Sequence, residues 1–284
     1  MPLVAAAFYL WLNSQPLALS PQPGLADNGR LKVSFLDVGQ GDAILIKTPA
    51  GQKVLIDGGE NQEKLLADLA DELGWFDKRL DYVILTHPHA DHVKGLNGLF
   101  GRWQIGQAVG TLLEHTSSAY DFWLNNLKSK QIKIVRWRSP QTLELDNGIS
   151  LQVLSPTESF LKQGTYNLNN SSLVLLLTYG RTKWLLAGDA ETEVEQDLLA
   201  RGVDINAQVL KVAHHGSSGA TSQEFLAAVG PQVAVISVGK NNDFGHPHER
   251  TLNRLERAGV QILRTDQAGT ISFLSDGQTL ELIK

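Results

Sequence analysis

The stretch that decides the fold lies between positions 85 and 92, and it reads Leu85-Thr86-His87-Pro88-His89-Ala90-Asp91-His92. Three of the eight histidines of the chain fall within these positions, together with one carboxylate. A neutral imidazole is the commonest protein ligand for zinc and related divalent cations. The stretch therefore predicts a metal site, and a polar loop of solvated histidines is the alternative.

The residues around this stretch predict how the ligands are arranged. The apolar, β-branched run at 81–85 predicts a buried strand. The proline after His87 ends any regular element, because it has no N–H and favours extended backbone in the residue before it. Open α/β sheets bind ligands beyond the carboxyl ends of their strands. We expect His87 and His89 to form one pair on a loop and Asp91 and His92 a second pair on a helical turn, which indicates two metal ions.

Composition narrows the chemistry of such a site. The 284 residues are enough for one large domain or two small ones. The chain has no cysteine, which excludes thiolate ligands, disulfides and a cysteine nucleophile. Any metal must therefore be held by histidine and carboxylate. The formal net charge of −5 argues against binding nucleic acid through bulk charge, although bound divalent ions would add positive charge locally.

The first 30 residues differ in character from the rest of the chain. Residues 3–12 are apolar and aromatic, and residues 20–24 have the composition of a linker. About ten apolar residues are too few to span a bilayer unaided. The first basic residue is Arg30, so the positive start of a secretory signal is absent. The segment is interpreted as a weak signal, the end of a membrane segment, or a tail docked on the surface.

From residue 31 the hydrophobic pattern becomes regular. Three strands are predicted at 31–38, 43–48 and 53–57, followed by a helix at 62–73. A helix is also expected to start within 91–99. A second batch of strands begins with a hairpin at 173–187, and helices separate its later members. The pattern predicts two sheets packed face to face with helices outside, or one large mixed sheet.

Further metal-ligating residues follow other predicted strands. They are Asp57, Asp189, the pair His214 and His215, and the pair His246 and His248. A single aspartate after a strand is more often a helix N-cap than a ligand. The recurrence of such residues at several strand ends predicts that they share one site.

These motifs resemble those of a known family. Asp57, the run at 87–92, Asp189 and the pair at 214–215 resemble the ordered motifs of the metallo-β-lactamase superfamily. The strings at 35–43, 212–217 and 245–248 resemble the C-terminal domain of the ComEC competence proteins, which take up DNA. The resemblance covers about residues 31–283. It implies an α/β fold, an αββα four-layer sandwich, with a hydrolase domain over 31–284.

The resemblance also implies roles for individual residues. The first of two divalent ions, zinc or manganese, would be held by His87 and His89. The second would be held by Asp91, His92 and one of His214 and His215, of which we favour His214. Asp189 would bridge the two ions, and Asp57 would orient a histidine ligand. The remaining catalytic candidates are His246 and His248, and the candidate substrate contacts are Ser217, Ser218, Asn170 and Ser171.

One expected ligand is missing. The superfamily usually supplies another histidine between the histidine loop and the bridging aspartate, but the only histidine in that interval is His115. Where the ligand is expected, the chain has the asparagine- and serine-rich stretch 167–172. The first ion would then have fewer imidazoles and more oxygen ligands, which favours Mn²⁺ over tightly bound Zn²⁺. Alternatively, the stretch is only a turn.

The resemblance implies a metal-dependent phosphodiesterase that cuts DNA, single-stranded by expectation, with a metal-activated water. It would work during competence-related uptake at the outer face of the cytoplasmic membrane, beside the channel portion of a ComEC-like protein and without a nucleotide cofactor. The alternatives are a hydrolase of small esters, lactones or phosphorylcholine, and a module that guides DNA with a weakened metal site. The basic run at 128–138 is interpreted as a solvated edge strand rather than a nucleic-acid track.

Overall fold

The computed structural model describes residues 29–146, 148–162 and 167–283. The predictions for the apolar segment and linker at the N-terminus fall on residues 1–28, outside the described part. The first strand begins at Leu31, where the regular hydrophobic pattern begins.

The described residues form fifteen strands and eight α-helices. The strands are β1 (Leu31–Phe35), β2 (Ile44–Lys47), β3 (Lys53–Ile56), β4 (Arg79–Leu85), β5 (Gln104–Gly110), β6 (Lys133–Arg136), β7 (Gln141–Glu144), β8 (Ile149–Ser155), β9 (Val174–Tyr179), β10 (Thr182–Leu186), β11 (Val209–Lys211), β12 (Val233–Ile236), β13 (Gln261–Arg264), β14 (Ile271–Ser275) and β15 (Leu280–Leu282). The helices are α1 (Gln62–Leu73), α2 (Ala90–Val93), α3 (Ser118–Ser129), α4 (Glu158–Lys162), α5 (Thr192–Ala200), α6 (Gln223–Val229), α7 (Glu249–Arg257) and α8 (Thr265–Ala268). Short 3₁₀ turns occupy Gly95–Leu99, Leu168–Ser171 and Ala213–Gly216.

The strands form two sheets. One has eight strands in the order β15-β14-β1-β2-β3-β4-β5-β6, and the other has seven in the order β13-β12-β11-β10-β9-β8-β7. Strands β3 to β6 are mutually parallel, and so are β10 to β13. Each sheet therefore gathers the carboxyl ends of several strands at one edge, where ligands bind in such sheets.

Three apolar clusters separate the layers. The largest lies between the sheets and includes Phe35 and Ile84 from the first sheet and Trp184 from the second. A second cluster packs α1 and α3 against the outer face of the eight-stranded sheet. A third packs α5, α6 and α7 against the outer face of the seven-stranded sheet. The predicted four-layer αββα sandwich is confirmed.

The segment expected to form a helix within 91–99 has a different form. Helix α2 ends at Val93, and the chain continues as the 3₁₀ turn Gly95–Leu99. The backbone here packs directly on the loop after β3, and a Cβ at Gly95 would lie only 1.7 Å from the carbonyl oxygen of Gly58. Glycine is required at this close approach. Gly58 also donates its N–H to the carbonyl of His92 at 2.8 Å, which ties the two loops together.

Helix α1 has the bounds predicted from the sequence, because residues at both of its ends stop the helix. Asn61 precedes it and accepts hydrogen bonds from the N–H groups of Glu63 and Lys64. Gly74, at a φ of 81°, follows its last residue. The basic run predicted to be an edge strand contains β6, which is the last strand of the eight-stranded sheet. Among the described helices, none is long and apolar enough to cross a membrane.

Candidate metal centre

The predicted ligands come together at the strand ends. Asp57 follows β3, the histidine loop follows β4, Asp189 follows β10 and His215 follows β11. The first two elements belong to one sheet and the last two belong to the other. Facing carboxyl ends of the two sheets therefore build one site between them.

Four of these residues form a compact group. Asp91, His92, Asp189 and His215 each offer one ligand atom, and all four atoms lie within 4.8 Å of one another. Nε2 of His92 lies 3.3 Å from Oδ2 of Asp189. Nε2 of His215 lies 3.3 Å from Oδ2 of Asp91 and 3.4 Å from Oδ2 of Asp189.

The donor set fits a divalent cation. The Nε2 atoms of His92 and His215 and Oδ1 of Asp189 are buried without a hydrogen-bond partner. Unsatisfied buried polar atoms are costly in a folded protein and need an explanation. A cation placed between these two imidazoles and two carboxylates would bind all four, and the buried atoms would then have a partner. We call these four residues the ligand cluster.

His92 is oriented by Asp57. Its Nδ1 lies 2.8 Å from Oδ2 of Asp57, and both groups are fully buried. The backbone N–H of Thr86 donates to Oδ1 of Asp57 at 2.8 Å, and the Thr86 hydroxyl donates to Oδ2 at 2.7 Å. This arrangement fixes the His92 tautomer with its proton on Nδ1 and leaves Nε2 free for a metal. Asp57 thus lies where it can hold the His92 ring, and its role in metal binding stays a prediction.

His215, rather than His214, turns toward the ligand cluster. Both residues have left-handed backbone, with φ of 49° for His214 and 52° for His215, so their side chains diverge. His215 Nδ1 donates a hydrogen bond to the carbonyl oxygen of Ser237 at 2.9 Å, and the His215 side chain is 1 % exposed. His214 Nδ1 instead lies 3.1 Å from Oε1 of Glu191, and its side chain is 23 % exposed. The preference for His214 as the inward-facing residue is wrong.

His87 and His89 lie beside the ligand cluster and face each other. His87 Nε2 is 3.0 Å from His89 Nδ1 and 3.9 Å from Oδ2 of Asp189. Burial, together with the neighbouring charge of His92, lowers the pKa of both histidines. Both are therefore neutral near pH 7, which is the form that binds metals.

The stretch expected to replace the missing histidine forms the 3₁₀ turn Leu168–Ser171. Asn169 lines the cavity at the cluster, and its side-chain N–H donates to Oε1 of Glu191 at 2.8 Å. Asn170 is engaged in this loop instead: it donates to Glu193 at 3.1 Å and accepts the N–H of Glu191 at 3.0 Å. The Ser171 hydroxyl donates to the carbonyl of Leu168 at 2.6 Å. Asn170 and Ser171, the candidate substrate contacts, thus stabilise the loop through hydrogen bonds, whereas Asn169 lines the cavity.

Two buried residues were missed by the sequence analysis. Asp42 forms an ion pair with Lys211, and its Oδ1 lies 3.4 Å from Nδ1 of His215. Lys211 also donates to the carbonyl of Gly188 at 3.0 Å and lies 3.8 Å from Oδ1 of Asp189. A lysine inside the apolar strand β11 was the available signal, since buried lysines are almost always paired.

Charges within the cluster reinforce one another. Burial by itself raises the pKa of Asp189, but His215 and His92 outweigh it and lower this pKa well below its ordinary value. Burial likewise opposes charge on His92 and His215, yet the carboxylate of Asp189 and its neighbours raise the pKa of both well above 6.5. The protons that His92 and His215 hold beside Asp189 supply positive charge there, and a divalent cation would replace them.

A cavity of about 260 Å³ opens on the cluster. Its lining includes His89, Asp91, Asn169, Asp189, His214, His215, Gln40, Phe244 and His246. Burial, together with the charges of His215 and His214, lowers the pKa of His246 to about 4. His246 is thus uncharged near pH 7 and acts there as a hydrogen-bonding group rather than as an imidazolium.

The remaining predicted residues lie on an adjoining loop. The backbone N–H of Ser218 donates to Nδ1 of His248 at 2.9 Å. Ser217 Oγ accepts the N–H of Gly219 at 3.3 Å, and its carbonyl accepts the Thr251 hydroxyl at 2.9 Å. Ser217, Ser218 and His248 do not line the cavity. They support the turn that carries His246.

Comparison with known proteins identifies the family of the chain. Residues 36–240, which are most of the chain, match the Metallo-beta-lactamase superfamily. The chain therefore belongs to the metallo-β-lactamase superfamily. Its fold and its histidine and aspartate cluster make it a metallo-hydrolase-type domain that is suited to a divalent metal.

The chain is also related to competence proteins. It is 34 % identical over 272 residues to ComE operon protein 3 of Bacillus subtilis, a match that covers 88 % of this chain and 34 % of that protein. It is 28 % identical over 256 residues to Competence protein ComA of Neisseria gonorrhoeae, covering 90 % of this chain and 34 % of that protein. The chain thus spans about a third of the length of these relatives.

A solved structure shows the same fold. Igni18, described as a novel metallo hydrolase from Ignicoccus hospitalis, superimposes with a TM-score of 0.55 at 15 % sequence identity. The superposition covers 86 % of this chain and 98 % of that one. At this level of identity the likeness concerns the fold.

Proposed function

We propose that this chain is a metal-dependent phosphodiesterase that cuts single-stranded DNA. The observation that carries the proposal is the ligand cluster, whose two imidazoles and two carboxylates converge with buried ligand atoms unpartnered. The relation to competence proteins supports DNA as the substrate. No serine or lysine nucleophile is required for this chemistry.

The site offers two cation positions. The first is the ligand cluster, which has four ligand residues, and Asp189 would also contribute to the second. The second position has His87 and His89, with Asn169 at the cavity where the family usually has a histidine. Divalent ions held by these residues would supply a water of lowered pKa and positive charge opposite the attacked phosphate. The second position has an asparagine where the family usually has a further imidazole, and this exchange of a nitrogen for an oxygen ligand favours Mn²⁺ over Zn²⁺.

Other side chains prepare the site for a phosphodiester. Asp57 keeps His92 in the ligating tautomer through the 2.8 Å hydrogen bond. Uncharged His246 at the cavity offers a hydrogen bond to the substrate or to the leaving oxygen. The half-buried carboxylate of Asp91, whose pKa His92 and His215 lower against the effect of burial, stays ionised throughout the neutral range.

The relatives also support a place for the activity. Because they are about three times as long as this chain, we propose that the domain works beside a membrane channel portion. Its location would then be the outer face of the cytoplasmic membrane, where an incoming strand is met.

The test is cleavage of single-stranded DNA by the purified chain in the presence of Mn²⁺, with metal content measured on the same sample. We expect cleavage to fall at least about a hundredfold in Asp91→Ala and His215→Ala, because each loses a ligand. Asp121→Asn, an exposed carboxylate on α3, is the matched control and should cut like the wild type.

Three results would contradict the proposal. Cleavage by Asp91→Ala at the wild-type rate would show that another site does the chemistry. Absence of DNA cleavage with every divalent metal, while small esters or lactones are turned over, would identify a different hydrolase. DNA binding without any hydrolysis or bound metal would identify a guiding module.

A further inference from the structure

Helix α7 carries three arginines on one face. Arg250, Arg254 and Arg257 are spaced four and three residues apart, so they lie side by side along the helix. They line a surface groove of about 560 Å³. Among the described residues none of the three forms a close salt bridge, although the charges of Glu195 and Glu224 act on Arg254 and Glu249 lines the same groove. We call the three arginines the arginine stripe.

The arginine stripe connects to the metal centre through direct contacts. Nη2 of Arg254 donates to the carbonyl of Ser218 at 3.2 Å, and the N–H of Ser218 donates to His248 at 2.9 Å. The ring of His248 lies 4.8 Å from the ring of His246, which lines the cavity at the cluster. Arg254 is therefore linked to the cavity lining through Ser218 and His248, and α7 begins directly after His248.

An exposed aromatic ring lies at the same cavity. Phe244 is 62 % exposed, lines the cavity and stacks on His246 with ring centroids 5.8 Å apart and an angle of 22°. A single exposed ring is common on protein surfaces, but the position of this one at the cavity offers a stacking surface to a ligand.

The loop that presents Phe244 is held by one side chain. Oδ1 of Asn242 accepts the N–H groups of Phe244 at 3.1 Å and His246 at 3.0 Å. Its Nδ2 donates to the carbonyls of Gly239 at 3.0 Å and His246 at 2.6 Å. Phe244 is thus displayed on a braced loop rather than on a loose one, which lowers the entropy lost when a ligand stacks on it.

We infer that Phe244 and the arginine stripe form a track for one strand of nucleic acid across the metal centre. The inference rests on the proposed function and names how its substrate is held. A nucleobase stacks on Phe244, which is tolerant of sequence because every base has an aromatic face. The phosphates on one side of the cut bind the guanidiniums, whose planar donors match phosphate oxygens.

The geometry favours this surface over the basic run at 128–138. That run contains β6, the edge strand of the eight-stranded sheet, where lysines commonly block pairing with another sheet. The arginine stripe is instead linked to the cavity lining, from Arg254 through Ser218 and His248 to His246. From Arg250 to Arg257 the helix rises about 10 Å, which is long enough for more than one phosphate.

Binding of a fluorescent oligothymidine with uncleavable phosphorothioate linkages, followed by anisotropy in Mn²⁺, tests the arginine stripe. For Arg250→Gln/Arg257→Gln we expect about tenfold weaker binding or more, and a log–log salt slope reduced by about 1.4, since each lost phosphate contact removes about 0.7 on a single strand. Arg254 is left intact because it also supports Ser218. The matched control, Lys130→Gln/Lys133→Gln, should bind with the wild-type slope.

Phe244 is tested with the same assay and two strands. Phe244→Ala should weaken binding of the oligothymidine at least about fivefold, whereas Phe244→Trp retains it, because stacking depends on an aromatic face. On an abasic strand, which has phosphates but no bases, the alanine and tryptophan variants should bind alike. Equal losses on both strands would overturn the stacking role.

The outcomes separate the track from the proposed function. If the lysine pair carries the salt dependence and the arginine pair does not, the track is overturned even when the wild type cuts DNA. If the arginine and phenylalanine variants lose binding as stated while no metal supports cleavage, the track stands and the phosphodiesterase proposal fails.

Discussion

Lys211 and Asp42 form a fully buried ion pair directly behind the ligand cluster, with exposures of 0 % and 1 %. Lys211 joins the two sides of the site, since it also binds the carbonyl of Gly188 at 3.0 Å, next to Asp189. Oδ1 of Asp42 lies 3.4 Å from Nδ1 of His215, the ring nitrogen that does not face the other ligands. The pair therefore supports two members of the ligand cluster from the side opposite the cavity.

Removing the lysine should destabilise the fold. In Lys211→Met the buried carboxylate of Asp42 loses its lysine partner and keeps only His215, 3.4 Å away, and breaking such a pair typically costs about 3–5 kcal/mol. Urea denaturation followed by circular dichroism measures the free energy of unfolding. The double variant Lys211→Met/Asp42→Leu should recover much of the loss, because no buried charge remains unpaired.

A surface pair provides the comparison. Lys183 binds Asp204 at 2.9 Å on the exterior, and Lys183→Met should cost no more than about 1 kcal/mol. If Lys211→Met is as mild as this substitution, the buried pair has no special structural role.

Asp57→Asn should weaken metal binding without removing a ligand. The amide N–H₂ would face Nδ1–H of His92, so the imidazole must move its proton to Nε2, the atom that faces Asp189. Loss of such an orienting partner typically lowers metal affinity about 10–100-fold. Isothermal titration with Mn²⁺ measures this affinity, and Asp121→Asn serves as the exposed control. An unchanged affinity in Asp57→Asn would show that His92 does not need Asp57.

The two adjacent histidines should differ in their importance for the metal. His215→Ala removes an imidazole that lies 3.3–3.4 Å from two carboxylates, and we expect its Mn²⁺ affinity to fall at least about a hundredfold. His214→Ala removes a side chain that pairs with Glu191, so its loss of affinity should be much smaller. Titration of both variants under one condition decides the matter, and the reverse order would assign the ligand to His214.

Metal binding should release protons. In the metal-free protein the pKa values of His92 and His215 lie well above 6.5, mainly because Asp189 outweighs the effect of burial. Each ring therefore keeps its proton at neutral pH, and a cation must displace it. Affinity should rise as pH increases above 6.5, with about one to two protons released per chain. Titration calorimetry in buffers of different ionisation enthalpy measures the release, and identical heats in all buffers would contradict it.

Much of the fold was predictable because its signals are local. The strand at 81–85, the helix Gln62–Leu73 with its asparagine cap and the hairpin at 173–187 each appear in short periodic patterns. The site was predictable in part, since its residues follow strands. The pairing of Lys211 with Asp42 spans 169 positions, so no local pattern reveals it.

The choice between His214 and His215 shows the same limit at short range. Strand and helix periodicities assign faces to side chains only where the backbone is regular. Both histidines have left-handed φ, imposed by packing of the turn against the next strand and the loop of Pro247. Adjacent residues in such a turn diverge, and the sequence does not tell which one faces inward.

The sequence by itself determined the layered α/β pattern and the set of histidines and aspartates that follow its strands. These are consequences of hydrophobic periodicity and residue chemistry, which act over a few residues. Only the tertiary structure decided that His215 completes the ligand cluster, that Lys211 and Asp42 support it, and that Phe244 and the arginine stripe lie beside it. Those relationships depend on packing two sheets together, which brings distant segments within hydrogen-bond distance.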